Sequence, residues 1–95
     1  MDNYATIIVE KNALPSVKES IAIGKRMLER KLLTYTQKLR YFETTKNMDT
    51  PTFIRLFENG ELGDQKEWIE WEYIASVVKL LQKKLNDLET LRYEA

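Results

Sequence analysis

Six carboxylates stand close together in the second half of the chain, and they are the residues whose type and spacing could do chemistry. Between Arg55 and Tyr73 six acidic residues face two basic ones, a local net charge of −4. The acids are Glu58, Glu61, Asp64, Glu67, Glu70 and Glu72. Paired carboxylates can act as general acid and base or bind hard cations. They can also form a patch that steers a basic protein partner, or a solvated rim at the start of a helix.

The composition argues against the catalytic and metal-binding readings of these carboxylates. The chain contains no histidine and no cysteine, so it lacks the commonest general base, the commonest transition-metal ligand and any thiolate nucleophile. The acids do not follow the spacing of a calcium-binding loop. We therefore predict that the protein is not an enzyme and has no catalytic residue, metal site or cofactor. The two remaining readings are a partner-binding patch and a solvated rim.

The length and the charge balance limit the classes of protein to which the chain could belong. With 95 residues, the chain is expected to form one helical domain over 1–95. Its 15 basic and 15 acidic residues cancel, which argues against nucleic acid as the partner. No apolar run reaches the roughly 18 residues of a membrane span, and Met1-Asp2-Asn3 lacks the positive start of a signal peptide. We expect a cytoplasmic protein that does not contact membranes.

The N-terminal segment 1–13 is predicted to be a strand or an arm. Residues 4–11, YATIIVEK, contain a β-branched run that favours extended backbone. A single strand must pair with a second subunit, add to a partner's sheet, or stay a partly ordered arm. A strand followed by helices would also fit a ribbon-helix-helix DNA-binding repressor. Ile8 and Glu10 are poor groove readers, so this reading ranks below the others.

Helical periodicity begins after the arm and predicts a first long helix over 14–46. Ser16 and Glu19 have the spacing of a capping box near its start. Apolar or small residues recur in steps of three and four, which makes one narrow seam. The seam comprises Val17, Ile21, Gly24, Leu28, Leu32, Tyr35, Leu39 and Phe42. Gly24 is the position where the helix could bend, or where another helix could approach closely.

A short helix over 51–58 is predicted next, with Thr50 as its cap and Pro51 in its first turn. Three apolar side chains fall on one of its faces and should cover the end of the long helices. They are Phe53, Leu56 and Phe57. Asn59-Gly60 should then end the short helix in a left-handed conformation, and Gly63 gives a second flexible point.

The last helix is predicted over 64–92, with Asp64 and Glu67 at capping-box spacing. Two neighbouring apolar stripes run along it. One contains Trp71, Ile74, Val78, Leu81, Leu85 and Leu88, and the other contains Ile69, Tyr73, Val77 and Leu80. Together they cover about half of the helix circumference, more than one partner helix can cover. We therefore predict a mainly α fold: a long antiparallel helical hairpin with a short connecting helix, pairing with a second copy into a four-helix bundle.

The turn between the helices carries a resemblance. FENGELGD at 57–64, followed by WIEW at 68–71, resembles an F-x-x-GELGD-x3-W/F pattern of small prokaryotic antitoxin-like helical proteins. The similarity covers roughly residues 28–90, and Gln65-Lys66 departs from the pattern, in which more acid is expected. The resemblance implies an interaction protein that neutralises a partner toxin, often one acting on RNA, by direct binding.

The sequence thus predicts a non-catalytic protein-binding module, with an antitoxin-like component as the leading function. The partners would be a second copy of the chain and a small basic toxin. The alternatives are a structural homo-oligomerisation protein and the strand-mediated DNA-binding repressor. The predicted partner-binding residues are Glu61, Asp64, Glu67, Trp68, Ile69, Glu70, Tyr73, Val77 and Leu80.

Overall fold

A computed structural model describes residues 3–93, which fold into three α-helices preceded by one short 3₁₀ turn. The 3₁₀ turn covers Lys11–Ala13, α1 covers Leu14–Lys46, α2 covers Thr50–Glu58 and α3 covers Lys66–Glu89. The long helices α1 and α3 pack against each other as an elongated hairpin, and α2 contacts α3. The predicted mainly helical fold, with the two long helices packed together, is confirmed.

The fold is elongated. Its extents are 55 × 31 × 17 Å, and the long dimension matches the roughly 50 Å expected for the 33 residues of α1 at 1.5 Å per residue. The four-helix bundle predicted from the sequence is not formed by this single chain. None of the helices within residues 3–93 combines the length and apolar character needed to cross a lipid bilayer.

The N-terminal segment forms an arm, and the predicted strand is not supported. Residues 3–10 contain neither helix nor strand, because no second strand is present to accept and donate their backbone hydrogen bonds. The arm touches the other end of the chain through Tyr4. The Arg92 guanidinium donates a 2.9 Å hydrogen bond to the Tyr4 hydroxyl and lies 4.6 Å from its ring centroid.

α1 starts without the predicted cap and continues past Gly24. The predicted Ser16–Glu19 capping box does not form, because the helix already begins at Leu14 with Pro15 in its first turn and no side-chain cap. α1 continues through Gly24 without a break. No atom lies within 4 Å of the point a Gly24 Cβ would occupy, so neither a break nor a close helix approach uses this glycine.

Left-handed residues end α1 and α2 in the same way. At the end of α1, Asn47 has φ 50°, and the Met48 N–H donates to the Glu43 carbonyl at 3.1 Å. At the end of α2, Gly60 has φ 73° and the Glu61 N–H donates to the Leu56 carbonyl at 3.0 Å. Both are Schellman motifs, which satisfy the last carbonyls of a helix. The left-handed Gly60 was predicted from the Asn-Gly pair.

The starts of α2 and α3 differ from prediction in their caps. Asp49, not Thr50, caps α2: its carboxylate accepts the Thr52 N–H at 2.8 Å. The predicted Asp64–Glu67 capping box is absent, because Gly63 (φ 79°) turns the chain and α3 begins only at Lys66, after an extended Gln65. At its other end α3 stops at Glu89, where the Thr90 hydroxyl donates to the Asp87 carbonyl at 2.7 Å.

The core lies where α2 covers the closed end of the hairpin. Phe53 and Trp71 are fully buried, and Phe42 and Ile74 complete the cluster. Further along α3 the side chains of Leu81 and Leu85 are buried too. Every buried residue of α3 therefore belongs to the first of its two predicted stripes.

Candidate protein-binding surface

A stack of aromatic rings fixes the end of the hairpin on which the predicted binding residues lie. The Phe53 and Trp71 rings are parallel, with centroids 4.0 Å apart, and Phe42 stacks on Trp71 at 5.6 Å. The Trp71 indole N–H donates to the Thr50 hydroxyl at 3.1 Å, so its polar atom is satisfied in the core. The stack joins one residue from each of the three helices.

Trp68, one of the predicted binding residues, belongs partly to this core. Its ring is half-buried and lies 5.8 Å from the Phe53 ring. The ammonium group of Lys46 lies 5.0 Å from the Trp68 ring centroid and also forms an ion pair with Glu67. The structure thus gives Trp68 and Glu67 contacts that hold the start of α3 against the end of α1.

Four predicted residues form a row on the outer side of α3. Ile69, Tyr73 and Leu80 are 50%, 58% and 51% exposed, and Val77 is half-buried. We call Ile69, Tyr73, Val77 and Leu80 the α3 stripe. At 100° per residue the stripe lies roughly 120° around α3 from the side chains that pack on α1. One neighbouring helix therefore covers the buried set and leaves the stripe open to solvent.

The remaining predicted residues are exposed acids. Glu61 and Asp64 lie on the connection between α2 and α3, and Glu70 lies in the second turn of α3. Within residues 3–93 these three carboxylates form no ion pair. We call Glu61, Asp64 and Glu70 the acidic end. The structure removes Glu67 from the free charges of this region, because Lys46 neutralises it.

The pairing of Lys46 with Glu67 and the contact of Lys46 with Trp68 were missed by sequence reasoning. These residues are separated by more than twenty positions, so no periodicity within one helix connects them. The hydrogen bond from the Thr50 N–H to the Glu43 carboxylate at 2.8 Å was also missed, because Glu43 lies in α1 and Thr50 in α2. A helix end carrying Glu43 and Lys46, facing a helix start rich in acids, was the only signal that could have suggested them.

Other concave surfaces are shallow. A groove of about 560 Å³ runs beside α3 and is lined by Leu39, Thr50, Ala75, Val78, Lys79, Gln82, Lys83, Asn86 and Asp87. Among the residues that the structure describes, no group of three or more acidic side chains could hold a metal ion.

The chain matches no protein-family model, no curated protein and no solved structure. The antitoxin-like resemblance of the turn therefore stays a prediction from its residues. The α3 stripe and the acidic end are the surface features that indicate what the protein binds.

Proposed function

We propose that this protein is a non-catalytic protein-binding module that docks a partner through the α3 stripe and the acidic end. The observation that carries the proposal is the continuous row of Ile69, Tyr73, Val77 and Leu80, left half-exposed after α1 has covered the other side of the helix. Burying a whole aliphatic side chain of this size stabilises by about 1.5–3 kcal/mol. Covering the exposed parts of these aliphatic side chains and of the Tyr73 ring would contribute on the order of several kcal/mol to binding a partner.

Tyr73 is the expected anchor of the docking face. It is the most exposed residue of the stripe, and tyrosine adds contact area and a hydrogen-bonding hydroxyl at low cost in conformational entropy. The stripe is rimmed by charged residues, such as Glu70 and Lys84. An apolar centre with a charged rim is the usual anatomy of a protein–protein contact.

The acidic end gives the proposed partner its chemistry. Glu61, Asp64 and Glu70 are exposed and lack ion pairs in the described chain, so a partner with a basic surface would gain complementary charges there. Such charges raise the association rate and the specificity more than the affinity. The partner class is therefore a protein with a basic site beside an apolar groove.

In its most specific form the proposal is antitoxin-like: the partner is a small basic toxin whose cationic site is covered by the acidic end. Support for this form comes from the turn residues FENGELGD. Gly60 and Gly63 both adopt positive φ, so the glycines of the pattern meet a backbone requirement of the turn. The strand-mediated repressor reading has no such support, because residues 3–10 form no strand.

A direct binding measurement tests the proposal. We would express the small basic protein encoded beside this gene and titrate it into the purified chain by calorimetry. We expect Tyr73→Ala with Leu80→Ala to weaken binding by at least about tenfold, since truncated anchor residues typically cost more than 1 kcal/mol each. Reversing Glu61 and Glu70 to Lys should lower the association rate and its dependence on salt.

Matched control variants lie on α1. Leu33→Ala removes an apolar group of similar exposure, and Glu29→Lys reverses an exposed charge. Both should bind like the natural chain. Equal affinities for the stripe variants and these controls would refute the docking face. The absence of a small basic protein beside the gene, or its failure to bind, would refute the antitoxin-like form.

A second copy of the chain is the other candidate occupant of the α3 stripe. Two hairpins joined there would form the four-helix bundle expected from the sequence. The arrangement of charges along α3 favours this occupant for the protein without a partner.

A further inference from the structure

Between residues 67 and 84 of α3, the charged residues are sorted by position along the helix. Between residues 67 and 72 there are three acids and no base, and between residues 79 and 84 there are three bases and no acid. The acids are Glu67, Glu70 and Glu72, and the bases are Lys79, Lys83 and Lys84. The α3 stripe runs through the middle of this arrangement, from Ile69 to Leu80.

Only part of this charge is neutralised within the chain. Glu67 pairs with Lys46, and Lys83 pairs with Asp87 at 2.8 Å. In the part of the chain that the structure describes, the other four charges form no ion pair. They are Glu70, Glu72, Lys79 and Lys84. Two free acids therefore flank one end of the stripe, and two free bases flank the other.

We propose that in the free protein the α3 stripe is covered by the α3 stripe of a second copy, in antiparallel orientation about a two-fold axis. In this orientation the acidic segment 67–72 of each α3 faces the basic segment 79–84 of the other. A parallel pair would instead align acid with acid and base with base, which is unfavourable because like charges repel at an interface. The sorting of charges thus favours a second copy of the chain as the molecule that covers the stripe, and it favours the antiparallel orientation of that copy.

The apolar side chains fit the same arrangement. If Tyr73 is level with Val77 of the second copy, Ile69 lies within one residue of Leu80 of that copy. The largest stripe residue then meets the smallest, and two aliphatic residues of similar size meet each other. A two-fold axis repeats each contact, as an isologous interface requires. In this register Glu72 lies within about one residue, roughly 1.5 Å of helix rise, of Lys79 of the second copy.

The antiparallel arrangement also separates the acidic ends. Each hairpin carries Glu61 and Asp64 at the start of α3, and α3 has 24 residues. With Tyr73 level with Val77 of the second copy, the two starts of α3 would lie about 27 Å apart by helix rise. At physiological ionic strength the Debye length is about 8 Å, so the two acidic ends would not repel each other.

This inference rests on the proposed function in one respect, because it takes the α3 stripe to be a docking face. It adds that the free protein masks this face by self-association. A partner protein that uses the stripe would have to compete with the second copy. The dimer itself requires no partner, so it is tested on the purified chain alone.

The closing experiment combines solution mass with a cross-link. Light scattering on a concentration series should show a dimer for the natural chain. Since the chain has no cysteine, single cysteines report geometry without background. In the antiparallel dimer Ser76→Cys lies near the two-fold axis and should form an intermolecular disulfide under mild oxidation. Ile69→Cys should not, because its two copies would be about 18 Å apart by helix rise, beyond the 4.4–6.8 Å that a disulfide allows between Cα atoms.

A second experiment reverses the charges beside the α3 stripe. Glu70→Lys with Glu72→Lys should weaken the dimer by at least about tenfold, from the cost of like charges at an interface. Adding Lys79→Glu and Lys84→Glu to that variant should restore it, because the swapped halves again face opposite charges. Tyr73→Ala with Leu80→Ala should give a monomer that keeps its helical circular-dichroism spectrum. Leu33→Ala on α1 is the control and should remain a dimer.

Several results would overturn the proposal. A natural chain that is monomeric at several hundred micromolar, or a Tyr73→Ala/Leu80→Ala variant that stays dimeric, would remove the interface. Disulfide formation by Ile69→Cys as readily as by Ser76→Cys would show a parallel pair. A four-charge variant that fails to recover would show that the charges do not face each other. If the natural chain is a monomer, the self-association proposal fails and the partner-binding proposal is unaffected. If the chain is a dimer but no basic protein binds it, the self-association proposal holds and the proposal of a basic partner fails.

Discussion

Truncating Phe53 should lower the free energy of unfolding more than truncating any exposed apolar residue. Its side chain is fully buried, and its ring lies 4.0 Å from the Trp71 ring, centroid to centroid. The rings of Phe57 and Trp68 lie 5.5 Å and 5.8 Å away. Phe53→Ala would therefore leave a cavity walled by three aromatic rings, which are too rigid to collapse into it.

The magnitude follows from this environment. Replacing a buried phenylalanine with alanine costs about 3–5 kcal/mol, and the cost is highest where the site cannot collapse. We expect about 4 kcal/mol for Phe53→Ala. The free energy of unfolding of a chain this size is roughly 5–14 kcal/mol, so the variant would lose a large part of it. Its Tm should fall by roughly 15–30 °C, at 4–8 °C per kcal/mol for a small domain.

Urea and thermal unfolding, followed by far-UV circular dichroism and tryptophan fluorescence, would measure the loss. Phe53→Leu keeps most of the volume and should cost about 1–2 kcal/mol, which gives a measurable variant even if Phe53→Ala does not fold. Leu33→Ala is the control, because Leu33 is 62% exposed and should change stability by no more than about 0.5 kcal/mol. If Phe53→Ala unfolds at the same urea concentration as Leu33→Ala, the aromatic stack does not stabilise the hairpin end as argued.

Three further predictions concern the helix interior, the turn and the cap. Gly24→Ala should raise the free energy of unfolding by about 0.5–1 kcal/mol, since a Cβ there meets no atom within 4 Å; an unchanged urea midpoint would contradict this. Gly60→Ala should lower it by about 1–2 kcal/mol, because Gly60 has φ 73°, and a midpoint at or above that of the natural chain would show that the turn tolerates a side chain. The side-chain and backbone hydrogen bonds from Thr52 hold the pKa of Asp49 below its ordinary value of 3.8. The stability this gives is fully present above pH 3.8 and is lost as the pH falls through the lower pKa of the folded state. Asp49→Asn should remove that part of the acid dependence in a pH series of urea midpoints, and a series unchanged by the substitution would refute the assignment.

The sequence predicts which residues form the proposed docking face, but it does not predict that this face is exposed. The steps of three and four along α3 define two apolar stripes, and their total width already exceeds what one helix can cover. Which stripe meets α1 depends on how α3 is rotated in the hairpin. The Phe53–Trp71 stack fixes that rotation, and it forms only when α2 closes the end of the hairpin.

The failures of local prediction share a physical cause. Ser16 with Glu19, and Asp64 with Glu67, have capping-box spacing, yet neither pair caps a helix, because Pro15 and Gly63 set the helix starts elsewhere. The N-terminal β-branched run forms no strand in the described chain, because a strand needs hydrogen bonds from outside itself. Spacing alone does not show which backbone groups still need partners.

The sequence by itself determined three helices, the seam of α1, the two apolar stripes of α3 and the left-handed Gly60, because each follows from local periodicity or backbone sterics. Only the tertiary structure decided that Trp71 is buried while Tyr73 is exposed. It alone paired Lys46 with Glu67, so that among the predicted binding residues Glu61, Asp64 and Glu70 are the acids without an ion pair in the described chain. These outcomes depend on contacts between residues about twenty positions apart, which exist only once α1, α2 and α3 have packed.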